Sequence, residues 1–138
     1  MSTLVLSDPS RIIAGILLLS LIAVGLGGWY LSRIVRGEIP MTTFQTNFAR
    51  AGHAHAGVLV ILGLVCQILV DASDLHGLPA GIARIGVPLA AIFLPAGFFL
   101  SSVGKNVEKA NSLFVLVYVG ALCLVAGVLS LGIGLLAS

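Results

Sequence analysis

Charge is scarce in this chain. Asp, Glu, Lys and Arg make up 9% of the 138 residues, against about a quarter in an ordinary soluble domain. With so few ions and 59% hydrophobic residues, the chain cannot dress a water-soluble surface and belongs in a bilayer. Carboxylates number five and cysteines two, which excludes an oxygen-rich calcium or magnesium site and a thiolate-rich zinc site. Cys66 and Cys123 fall inside apolar runs and read as small hydrophobes. A net charge of +2 without any run of like charges offers nothing to nucleic acid.

What the sequence does have is apolar length. Four runs, each near the ~20 residues that cross a bilayer, predict an all-α membrane protein. It is one transmembrane domain with helices at about 12–32, 43–70, 82–103 and 112–137. Arg11 followed by an apolar run imitates a signal peptide. The run from Ile12 to Leu31 exceeds an h-region and ends in "GGWYLSR", so it reads as a retained anchor. Trp29 and Tyr30 mark a headgroup level, and Thr42 or Thr43 is the expected N-cap of the second helix. "DASDLHGLPAG" reads as a loop holding Asp71, Asp74 and His76. Pro88 and Pro95 are expected to kink the third helix, which a membrane tolerates when neighbours satisfy the freed carbonyls. Asn111 or Ser112 is the expected cap of the fourth. The glycines of the second and fourth helices read as close packing. Gln67 and Arg84 read as helix–helix glue and interfacial snorkelling, and Tyr118 as packing.

Two of the three histidines stand in "FARAGHAHAG", two residues apart on the second helix. Each helical residue advances about 100°, so His53 and His55 are separated by about 200° and point to nearly opposite faces. Such a pair does not clamp one ion; it suits two separate sites. Ionisable groups inside membrane spans are functional candidates. Heme asks for one or two axial imidazoles, a slot between helices and positive charge for its propionates. Arg50, Arg33 and Arg36 can supply that charge at the same membrane level. His76 lies 21 residues beyond His55, roughly 31 Å along a helix, so one chain cannot supply two histidines to one heme from two helices. A ring of identical subunits solves this, His53 of one chain meeting His55 of the next. No Cys-x-x-Cys-His run occurs, so covalent c-type attachment of a heme is not suggested.

The stretch "FQTNFARAGHAHAGVLVILGLV" resembles the second helix of the catalytic subunit of heme-copper oxygen reductases and their nitric oxide reductase relatives. Those subunits are three successive arcs of four helices, and the present chain is the size of one arc. In the family's third arc an H-x-H pair on the second helix faces two ways and serves two hemes. The resemblance therefore implies that His53 and His55 are axial ligands to heme iron. It also implies a homotrimer with one six-coordinate b-type heme at each interface. No further histidine lies in the second, third or fourth helix to build the copper site, so reduction of oxygen or nitric oxide is not expected.

Three functions follow from this reading. The first is electron transfer or heme handling by a membrane hemoprotein, expected in a prokaryotic cytoplasmic membrane. The second is a metal-ion or small-solute channel or transporter with a ring of imidazoles. The third is a structural accessory subunit of a respiratory complex. Arg33, Arg36, Arg50, Lys105 and Lys109 outnumber Arg11 and Arg84 on the opposite side, which would place both termini outside. If the three arginines serve propionates the remaining tally is even, and topology stays open.

Overall fold

The computed structural model describes residues 5–137, which are helical apart from short connections. Helix α1 runs Asp8–Val35, α2 Thr43–Asp71 and α3 Gly77–Ser101; a 3-10 turn at Ser112–Phe114 leads into α4, Val115–Ala137. All four helices are long and apolar enough to cross a membrane. At 29 residues, α2 is about 43 Å long, more than the ~30 Å hydrocarbon core.

The starts follow local chemistry. The Ser7 side chain accepts the Ser10 N–H to cap α1, with Pro9 in the first turn, so this helix begins at Asp8 instead of residue 12. Thr42 and Gln45 form a reciprocal capping box at α2, satisfying two N–H groups that a helix start leaves orphaned. Helix α3 starts at Gly77, five residues before the expected 82, and takes in much of the supposed loop. Pro79 fits there because first-turn N–H groups have no intrahelical partner to lose. Asn111 caps the 3-10 turn, its side chain accepting the Leu113 N–H at 2.8 Å.

Each helix packs on its neighbour in sequence, and α1 and α4 do not meet among the described residues. The result is an open array with α2 and α3 central. Buried residues make up 33% and 39% of the most apolar windows of the central spans but only 6% of that of α1 and 11% of that of α4, so the outer pair is the more exposed on the single chain. On α1 the exposed stripe is Ile12, Ile16, Leu19, Ile22, Leu26 and Trp29, spaced by three and four along one helical face. Leu59, Cys66 and Val70 of α2 form the core with Ala83, Val87, Ala90 and Leu94 of α3 and Leu131 of α4. Helices α3 and α4 touch backbone to backbone, since a Cβ built on Gly86 would lie 2.6 Å from the Gly127 Cα. Here the glycines do serve close approach.

Helix α3 is continuous through both prolines. Pro88 has no N–H for the carbonyl of Arg84 four residues earlier. Gln67 of α2 donates to that carbonyl instead, at 2.9 Å. A neighbouring helix thus supplies the bond that the proline removes.

Candidate functional site

Helix α2 carries both expected iron ligands, and they meet different neighbours. The His55 ring lies 5.1 Å from Phe98 of α3, tilted by 31°. Its Nδ1 is 2.7 Å from the carbonyl oxygen of Ala51, one turn back. A carbonyl only accepts, so Nδ1 is the donor in this contact and Nε2 is the nitrogen left for another partner. Because Nδ1 faces its own helix, Nε2 points away from it, and the side chain is exposed on the single chain. This arrangement suits a metal ligand: a backbone carbonyl fixes the tautomer and leaves Nε2 to coordinate.

His53 is half-buried on the side of α1. Its Cε1 and Nε2 are 3.2 and 3.3 Å from where a Cβ on Gly28 would stand, and its Nδ1 is 3.6 Å from the equivalent point on Gly27. The two glycines make the flat seat on which the imidazole rests. Within one chain its nitrogens therefore face the α1 backbone, and coordination by Nε2 requires the ring to turn or α1 to give way.

The arginines separate into two kinds. Arg33 and Arg36 both pair with Glu38 at 3.0 Å, and the Arg33 guanidinium also sits 5.3 Å from the Trp29 ring centroid. Their charge is partly spent on a carboxylate that stands in the same short connection. Arg50 is exposed and has no ion pair among the described residues.

Around His55 an aromatic cluster links three helices. Phe48 packs on Phe44 at 4.1 Å and on Phe98 at 5.5 Å, and Phe114 lies 6.2 Å from Phe98. Tyr118 touches Phe114 edge-on but is 67% exposed, so it faces outward and is not packed inside. Phe98 was invisible as a partner of His55 because their separation of 43 positions carries no local signal.

The opposite end of α2 holds a buried polar cluster. Asp71, the last residue of α2, accepts the Ser7 N–H at 2.8 Å, the Ser7 hydroxyl at 2.9 Å and Arg84 Nη1 at 3.0 Å. Arg84 also donates to Ser7 and Ser10, and the side chains of Arg84 and Asp71 are only 16% and 6% exposed. Arg84 is therefore bonded inside the protein, where snorkelling had been expected, because Asp71 belongs to a helix end and not to a free loop. Gln67 donates to Gly63 and Arg84 carbonyls, which fixes the amide orientation, since a flip would oppose oxygen to oxygen. It acts as the glue that its apolar surroundings suggest. His76, the N-cap of α3, is exposed beside exposed Asp74 and makes no side-chain cap.

No group of three or more His, Cys, Asp or Glu side chains converges as a metal site among the described residues. Cys66 and Cys123 are free thiols. No family model, curated protein or solved structure matches this chain.

Proposed function

We propose that this chain is a membrane hemoprotein that holds b-type heme between identical subunits and serves electron transfer or heme handling. The observation that carries the reading is His55, whose Nδ1 is 2.7 Å from the Ala51 carbonyl oxygen, so that Nε2 is the nitrogen turned away from the helix on an exposed face. Heme iron needs one or two such imidazoles and no further protein ligands. Bound heme would supply a one-electron couple. The chain's own part is to present imidazole in one tautomer, shield it with Phe98 and offer positive charge to propionates.

The residues fit heme directly at His55. His53 fits only once its ring leaves the Gly27–Gly28 seat, so the second copy at each interface must draw His53 outward. Arg50, three residues before His53 and free of carboxylates, is the first candidate for a propionate. Arg33 and Arg36 follow if Glu38 releases them. A homotrimer, each interface pairing His53 with a neighbouring His55, rests on the resemblance to one arc of the heme-copper reductases and on cyclic symmetry.

The test is an absorption spectrum of the full chain purified in detergent after expression with ample heme, oxidised and reduced. A Soret band confined to the oligomeric fraction is expected. His55→Ala should abolish it, and His53→Ala should convert six-coordinate low-spin iron to a high-spin form. A colourless protein from heme-replete cells sinks the reading.

A further inference from the structure

Helices α1 and α3 are tied together at the Asp71 end of α2 and stand apart towards the other. Arg84 of α3 bonds Ser7 and Ser10 of α1, and beyond this clasp two apolar cavities follow one another along α2. The deeper, about 400 Å³, is bounded by Ala56 and Val60 of α2, Val24 of α1 and Ile92 of α3. The shallower, about 350 Å³, is bounded by Gln45 and Ala49 and reaches Tyr30 and Gly104. The Phe99 ring lines the shallower one and packs on α2 between them, 2.9 Å from the point where a Cβ on Gly52 would stand, and His53 lies against α1 at the same level. Gln45, Ala49, Gly52, Ala56 and Val60 recur by threes and fours, so one stripe of α2 runs under the whole crevice.

At bilayer depth a crevice walled by aliphatic side chains does not hold water, and the abundant solute around it is the acyl chain. Its rim adds a second requirement. Lys105 follows Gly104, is exposed and makes no ion pair among the described residues. Arg33 stands one turn beyond Tyr30. At this membrane level Arg33, Arg36, Arg50, Lys105 and Lys109 outnumber the carboxylates Glu38 and Glu108. Tyr30 itself is an interfacial residue type, which sets the shallower cavity at headgroup depth.

We infer that the crevice between α1 and α3 binds one anionic phospholipid. One acyl chain lies along α2 with the Phe99 ring turned aside from Gly52 to join the two cavities, and the phosphate sits at the rim beside Lys105, with Arg33 shared between it and Glu38. The site shares Arg33 and Gly27, part of the His53 seat, with the heme reading, so lipid retention is to be read on the heme-free chain.

The full chain would be reconstituted into vesicles of equal parts phosphatidylglycerol and phosphatidylcholine, extracted in mild detergent and weighed by native mass spectrometry. One retained phospholipid per chain is expected, with phosphatidylglycerol preferred by about fivefold, the contribution of a single lysine near a charged headgroup. Lys105→Glu, a surface change, should erase that preference while leaving lipid bound. Ala56→Trp fills the deeper cavity and should abolish retention with helicity unchanged. The proposal is overturned by an absence of bound lipid, by undiminished retention in folded Ala56→Trp, or by a preference that survives Lys105→Glu. Recovery of a prenyl quinone in place of phospholipid from cell membranes overturns it too.

Discussion

At the Asp71 end of α2, carboxylate, guanidinium and hydroxyl groups bond to one another and an amide bonds the Arg84 carbonyl, across three helices, whereas at the histidine end the outward nitrogen of His55 and both nitrogens of His53 have no hydrogen-bond partner among the described residues. Both ends carry groups that are expensive in a membrane. In the first, cost is offset inside the chain for every side-chain group but the Gln67 Oε1, which is buried without a hydrogen-bond partner among the described residues, and the cluster joins α1, α2 and α3. In the second, the chain leaves valences open, which stabilises nothing by itself. The difference teaches how to tell glue from site in an apolar chain: ask which polar atoms the protein has already satisfied.

The largest expected effect breaks the satisfied end. Asp71→Ala leaves Arg84 charged and largely enclosed, and losing one partner of a buried pair costs ~3–5 kcal/mol. Denaturant unfolding in detergent should show that loss. The double variant Asp71→Leu with Arg84→Met should recover most of it, because removing both charges also removes the desolvation penalty. If the double variant is no better than the single, the cluster does more than balance charge.

A smaller effect tests the bond between Gln67 and Pro88. Gln67→Leu strands the Arg84 carbonyl and should cost about 1–3 kcal/mol, the usual penalty for an unsatisfied buried group. In a Pro88→Ala background residue 88 regains an N–H for that carbonyl, and the same Gln67→Leu change should cost markedly less. Equal costs in both backgrounds would show that Gln67 acts on something other than the carbonyl freed by proline.

How much of this was legible in the sequence differs from end to end for physical reasons. Four spans, the Thr42 cap and the divergence of His53 from His55 depend on composition and on helical periodicity, which are local. The clasp was hidden because Asp71 sits next to turn residues, and only the preceding helix, carried one residue further, turns it inward towards Arg84. A sequence signal did exist: Pro88 four residues after Arg84 announces an orphaned carbonyl, and Gln67 is the amide on the preceding span. Glu38 was equally visible between Arg36 and Pro40, and it claims the two arginines reserved for propionates. By contrast, the seat of His53 on Gly27 and Gly28 depends on how α1 lies against α2, a tertiary fact that no periodicity encodes.

The smallest expected change in stability belongs to His55, and it sharpens the contrast most. Its side chain is exposed, with one ring contact to Phe98 and one polar contact to the Ala51 carbonyl, so His55→Ala should move unfolding by no more than about 0.5 kcal/mol, the range of surface substitutions. Removing the ring leaves no acceptor unpaired, because the Ala51 carbonyl still accepts the backbone N–H of residue 55 within the helix. A residue placed for glue would cost far more when cut away. Unfolding of the apo chain, measured beside the parent, therefore separates the two ideas without any cofactor present. A loss as large as that of Asp71→Ala would make His55 a structural partner of Phe98, and the outward nitrogen would then be incidental to its retention in the fold.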